Sequence, residues 1–317
     1  DLLETKGQND AKKFFRYVMH CVKENISEPS SVIAPVPAKM AVTVPPVNNE
    51  TKSGDVVILT NCEKNDVQLQ NMIERFRAVF NRSTRVINIA EYNFKGGCLG
   101  CMNCAISGKC VYKDGFDDYL RNTIQTAEAI VIAFTVKDHS MGASFKLYDD
   151  RQFCNGHRAV TMGMPMGYLV SGSYSTEFNL QMIIEGRAQV GSNFLAGVAT
   201  DENDPDREID KLAKSLEYAL TDSYVPPQNF YGVGGMKIFR DLIWLMQGMM
   251  KADHKFYKAH KQYDFPQKKR GRMVLMYLLG ALMSSEKIKS KSGNMMSEGM
   301  LMPYKKLLEK EEKNENY

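Results

Sequence analysis

The chain has 317 residues, 44% hydrophobic and 25% charged, with a formal charge of +4. That is globular composition, long enough for one large domain or two small ones. Residues 251–317 hold 15 Lys/Arg against 8 Asp/Glu and the first 250 hold 26 against 29, so the body is no nucleic-acid binder while the tail could meet an acidic surface.

The longest apolar run, Met273 to Met283, has eleven residues, short of the ~18 that a membrane span needs. No signal-peptide pattern is visible. Seven cysteines is an odd number and four of them crowd into one loop. Disulfide frameworks spread their cysteines through small secreted domains, so a reduced cytoplasmic compartment fits better.

Residues 1–26 contain an amphipathic helix, Asn9 to Ile26, with Phe14, Phe15, Val18, Met19 and Val22 at helical spacing and Asp10 as its expected cap. Residues 27–54 hold five prolines between Pro29 and Pro46 and read as an extended linker. A lone helix before a linker, in a chain that does not start with Met, suggests the end of a preceding domain.

From residue 55 to 220 the pattern changes to short apolar strands alternating with amphipathic helices. The strands are Asp55–Thr60, Thr84–Ala90, Glu128–Phe134, Pro165–Gly172 and Asn193–Thr200. The helices begin near Asp66, Asp114, Ser144, Ser175 and Asp204. Five strands alternating with five helices predict a parallel sheet covered on both faces, in the flavodoxin-like doubly wound order 2-1-3-4-5. Ligands then bind beyond the carboxyl ends of the strands, at Asn61–Asp66, Thr135–Gly142 and Ser171–Thr176. Residues 221–317 form a helical appendix, reading as helices over 234–260 and 268–283. It holds eleven of the twenty methionines. It could pack on the sheet domain or on a dimer mate, or its C-terminal helices could make peripheral contact with an anionic membrane. Residues 285–317 read as a solvated end.

Between the second strand and the second helix lies GGCLGCMNCAISGKC, with Cys98, Cys101, Cys104 and Cys110 spaced C-x2-C-x2-C-x5-C. Thiolates are soft ligands for zinc or iron–sulfur clusters. Tetrahedral zinc usually draws on two separated pairs, whereas four ligands on one compact loop suit a 4Fe–4S cluster.

Cys98, Gly100, Cys101, Cys104, Gly108, Lys109, Cys110, Val111, Lys113 and Asp114 match a segment typical of iron–sulfur flavoproteins. From about Val56 to Leu220 the chain resembles that group and the wider NAD(P)H-dependent FMN reductase family. The resemblance implies a flavodoxin-like fold, bound FMN, a dimer or higher homo-oligomer, and electron transfer from NAD(P)H or a ferredoxin to a small acceptor.

The family's first flavin loop reads G-S-P-R-x-x-G-N-T and cradles the FMN phosphate. Here Cys62 stands at its Ser and Lys64 at its Arg, while Val67 and Leu69 replace the Gly and Thr. Asn61, Asn65 and Gln68 could still donate hydrogen bonds. The second loop keeps Val136, Lys146, Asp150 and Arg151, but Thr135 and Lys137 replace a Pro and a Tyr, and Asp138 and His139 make it polar. In the third loop Ser171, Gly172, Ser173 and Tyr174 could meet the flavin edge, and Ser173 or Ser175 could instead cap the next helix. No catalytic acid is evident, and no G-x-G-x-x-G fingerprint marks a dedicated nicotinamide site. Two readings stand: an FMN-dependent oxidoreductase with a possible 4Fe–4S cluster, or a flavin-poor interaction or redox-sensing module, the second copy in a tandem protein.

Overall fold

A parallel strand between two helical layers must be apolar on both faces, which selects short runs of Val, Ile and Leu. The computed structural model places five such strands: β1 (Val56–Thr60), β2 (Thr84–Asn88), β3 (Ala129–Thr135), β4 (Pro165–Ser171) and β5 (Phe194–Thr200). All neighbours pair parallel in the order β2-β1-β3-β4-β5, the flavodoxin-like arrangement. The structure describes residues 2–26, 39–46, 51–263 and 269–284, with scattered positions between 298 and 309. The proposed linker residues 27–38 and 47–50, and most of the proposed solvated end from 285 on, lie outside the described residues.

Ten helices are described: α1 (Thr5–Lys23), α2 (Val67–Val79), α3 (Asn103–Ser107), α4 (Phe116–Tyr119), α5 (Ala143–Gln152), α6 (Phe178–Val190), α7 (Pro205–Asp222), α8 (Phe230–Leu245), α9 (Lys251–Ala259) and α10 (Arg270–Leu282). Alternate strand residues feed opposite layers. Val56 and Ile58 pack with Leu69, Met72, Ile73 and Phe76 of α2 and Ile209, Leu212 and Leu216 of α7. Val57 and Leu59 pack with Phe116, Phe145 of α5 and Ile184 of α6 on the other face. Each such side chain, fully buried, contributes about 1.5–3 kcal/mol. Asp204 caps α7 by accepting from the Arg207 amide at 3.2 Å.

Three segments differ from the sequence-based expectation. Helix α1 starts at Thr5, so Asp10 lies inside it and is not its cap, and the helix carries no buried residue. The helix expected over 234–260 is two, α8 and α9, with a turn at 246–250. The turn allows close backbone approach: a Cβ on Gly280 of α10 would lie 2.0 Å from the Gly248 carbonyl oxygen, so only glycine fits there. Finally, residues 39–46 of the proline-rich stretch run against the sheet domain. Val42 is buried with α2 and α7, the Met40 amide donates to the Asp201 carbonyl at 2.7 Å, and Arg75 donates to the Thr43 carbonyl at 2.7 Å. Among the described residues, no helix is long and apolar enough to cross a membrane.

Candidate functional site

Three left-handed residues shape the cysteine loop, the first being Gly100 (φ 63°) between Cys98 and Cys101. Met102 (φ 56°) opens α3 and Gly108 (φ 79°) closes it, so the chain reverses within one and a half turns. Side chains then pin it. Asn103 Nδ2 donates to the Lys109 carbonyl at 2.8 Å, and the Cys110 amide donates to Asp117 Oδ2 at 3.1 Å. Arg121 Nη2 donates to the carbonyls of Gly108 at 2.8 Å and Cys154 at 2.9 Å, tying the loop to the end of α5. The appendix closes one side: Ala105 and Met102 pack on Met236, Ile243, Met250 and Tyr257. Beside them Asp253, fully buried on α9, accepts from His157 Nδ1 at 2.9 Å.

Cys98, Cys101, Cys104 and Cys110 line one pocket, so the structure brings the four predicted ligands together. A fifth thiol, Cys154, lines it too. Burial, assisted by Asp253 and by the Cys98 and Cys101 thiols, pushes the Cys104 thiol up to about 11. Burial pushes Cys154 up to about 12, against the nearby Arg121 cation. Thiols so raised are poor ligands until a metal takes their protons.

The donor set is soft, which suits iron or zinc. Four thiolates about 2.3 Å from one zinc must crowd together. Among the described residues, no group of three His, Cys, Asp or Glu side chains is placed to hold a metal ion. Cys98, Cys101, Cys104 and Cys110 would be the thiolates to hold a 4Fe–4S cluster, which would supply one-electron transfer. The four thiols converging on one pocket are compatible with that donor arrangement.

The flavin loops meet at the carboxyl edge of the sheet. Asn61 Nδ2 donates to the Met141 carbonyl and to Ser144 Oγ, each at 3.1 Å, joining the first loop to the second. The Val136 amide donates to the Ser171 carbonyl at 2.9 Å, joining the second to the third. Asp66 caps α2, accepting from the Leu69 amide at 3.2 Å, and also accepts from Thr135 Oγ1. Lys137 pairs with Glu63. Cys62 has its thiol raised, by burial first and then by Asp66. Lys64 is exposed. Asp138 and His139, both at positive φ, form the tip of a tight turn closed by Lys137 and Ser140, and His139 Nδ1 lies 3.0 Å from Glu177.

Two buried carboxylates organise the third loop. Asp201 accepts from Ser171 Oγ at 2.7 Å and from the Gly172 amide at 2.8 Å. Glu202 accepts from the Ser175 amide and hydroxyl, each at 2.9 Å. Ser175 therefore does not cap α6, which has no side-chain cap; Ser173 does not either. Ser173 offers its carbonyl to Thr176 Oγ1 at 2.9 Å. Tyr174 is half-buried and its hydroxyl is pushed up to about 12 by burial and Glu202. The strap of residues 39–46 meets two of the candidates, Gln68 and Ser171: Gln68 Nε2 donates to the Met40 carbonyl at 2.6 Å and Lys39 Nζ donates to Ser171 Oγ at 3.1 Å.

At the phosphate end of this edge the polar groups are paired with one another and would have to rearrange before an FMN phosphate could bind. A phosphate at the N-terminus of α2 would face Glu63 and Asp66, and Asp66 already takes the Leu69 amide. Ser171 Oγ and the Gly172 amide are committed to Asp201.

Sequence reasoning missed Cys154, Asp201, Glu202 and the strap. Cys154 lies far along the chain from the cysteine motif, and the two acids sit just before an obvious helix cap at Asp204.

No protein-family model matches the chain. It is 24% identical over 172 residues to an iron–sulfur flavoprotein of Archaeoglobus fulgidus, covering 51% of this chain and 77% of that one. It is 20% identical over 138 residues to an iron–sulfur flavoprotein of Clostridioides difficile, covering 41% of this chain and 61% of that one. Among solved structures it is similar to an NAD(P)H:quinone oxidoreductase from Methanothermobacter marburgensis, with 15% identity and a TM-score of 0.38 over 56% of this chain and all of that one. A score that low carries nothing on its own, and the flavodoxin-like topology rests on the strand order. In sequence the chain thus resembles the iron–sulfur flavoproteins.

Proposed function

We propose that the chain is an oxidoreductase of the iron–sulfur flavoprotein type, with a 4Fe–4S cluster held by Cys98, Cys101, Cys104 and Cys110 and with FMN as its second centre. The observation that carries this reading is the convergence of those four thiols on one pocket. The cluster supplies one-electron transfer. The chain's own residues fix the ligand loop through Arg121, Asn103 and Asp117, and exclude water on the appendix side through Met236, Ile243 and Tyr257. Cys98 stays exposed and Leu99 and Val111 beside it are 54% and 45% exposed, which leaves an apolar rim where a partner can approach.

The names of the two relatives support a flavin at the carboxyl edge. Glu63 and Asp66 oppose a phosphate in that place. The donor follows from the same chemistry. A ferredoxin gives one electron at a time, as a cubane takes them, whereas NAD(P)H gives a hydride and needs the flavin. Those two carboxylates favour a second reading, a flavin-poor redox module on the same scaffold.

Anaerobically prepared protein, loaded with iron, sulfide and FMN, separates these readings when mixed in turn with reduced ferredoxin and with NAD(P)H. Bleaching by both supports the two-centre oxidoreductase. Bleaching by ferredoxin alone supports the flavin-poor module, and bleaching by neither sinks both.

A further inference from the structure

Among the described residues, Arg151 is the one guanidinium lining the cysteine pocket. It is almost fully buried, with a side chain 1% exposed. Its Nη1 and Nη2 make a fork to the Asp114 carboxylate at 2.7 and 2.8 Å, and Nη1 also donates to the Gly96 carbonyl at 3.2 Å. Its Nε–H is buried and has no hydrogen-bond partner among the described residues. A buried donor left unpaired costs about 1–3 kcal/mol, so its persistence in this pocket points to an acceptor that belongs there. Cys110 lines the same pocket as Arg151.

Arg151 also has an evident structural task. Its guanidinium stacks over the rings of Tyr112 at 4.4 Å and Phe116 at 5.2 Å, and so ties both flanks of the cysteine loop together. That task accounts for Nη1, Nη2 and the faces of the fork. It leaves Nε unexplained.

We propose that the Arg151–Asp114 pair sets the reduction potential of the cluster, with Arg151 as a positioning residue that donates from Nε to a sulfur of the Cys110 side. The proposal rests on the cluster reading above. Reduction adds one electron to a cluster that four thiolates already make net negative; no bond forms or breaks and no proton moves. A buried cation stabilises the added charge, and a buried anion opposes it, in a medium that screens poorly. The two members of the pair therefore act in opposite directions.

Potentiometric titration of reconstituted protein, followed by the electron paramagnetic resonance signal of the reduced state, tests this without any turnover. Arg151→Gln should lower the potential and Asp114→Asn should raise it. Each change should alter the reduced-to-oxidised ratio at fixed potential about tenfold, or about 59 mV for one electron. Arg151→Lys, which keeps the charge and lets the loop fold if Arg151→Gln does not, should stay nearer to wild type than Asp114→Asn does. A merely structural pair would move both variants the same way or not at all, and either result at full iron content overturns the tuning role. Wild-type protein that takes up no iron overturns the cluster reading itself and this role with it.

Discussion

The cysteine pocket and the carboxyl edge of the sheet sit in one domain and are built in opposite ways. In the pocket, backbone groups and salt bridges surround the thiols and leave them turned to a common space, with the Arg151 Nε–H unspent. At the edge, the side chains satisfy one another: Asp66 takes the helix amide, Glu63 takes Lys137, and Asp201 and Glu202 take the hydroxyls and amides of the third loop. Polar groups that are already paired have little to gain from a ligand, while unpaired donors and converging thiols have much. The same flavodoxin-like scaffold thus presents one pocket lined by free thiols and one edge whose polar groups are already paired with one another.

The strongest way to break this contrast is at the thiols. Cys104→Ser should abolish the visible cluster absorption, whereas Cys62→Ser at the edge should leave it intact; equal loss in both would mean the pocket is not the metal site. Next comes the charge at the edge. Asp66→Ser keeps a capping oxygen and deletes an anion next to the expected phosphate. At the dielectric of a protein surface this should raise FMN affinity at least about fivefold, read by quenching of flavin fluorescence. An unchanged affinity would show that the carboxylate is not what keeps the phosphate out.

The strap offers a smaller effect. Val42→Ala removes buried methyl groups against α2 and α7 and should cost about 1–2 kcal/mol in urea unfolding. It should also speed proteolysis within residues 39–46; unaltered stability would mean that the strap is only resting there. The mildest prediction concerns acid. The fork from Arg151 holds the Asp114 carboxyl well below the usual carboxylate range. Its contribution to stability is present above the unfolded carboxyl pKa of about 3.9 and is lost as pH falls below it. The stability gap between wild type and Asp114→Asn should therefore be open at pH 7 and narrow as pH falls towards 3; a constant gap would refute the ionic origin.

Much of the scaffold was legible because buried parallel strands and two-faced helices leave strong local patterns. Val56–Leu59 and Ala129–Phe134 could be read as strands from their apolar runs, and Leu69, Met72, Ile73 and Phe76 as the buried face of α2. The shared pocket of Cys98, Cys101, Cys104 and Cys110 was legible because these four thiols are close in sequence. What was not legible depends on contacts between distant residues. Nothing local to a proline-rich stretch marks Val42 as buried or Lys39 as reaching Ser171. Nothing near Cys154 announces the pocket, and nothing in α9 announces that Tyr257 and Asp253 flank the cysteine loop. Ser175 looked like a cap and is instead held by Glu202, a carboxylate supplied by the end of the next strand.

The most direct test of the cysteine pocket is metal and sulfide analysis of protein isolated without oxygen. A cluster on Cys98, Cys101, Cys104 and Cys110 predicts iron and acid-labile sulfide in equal amounts, about four of each per chain. Zinc without sulfide, or thiols that all react freely with no metal present, would contradict it.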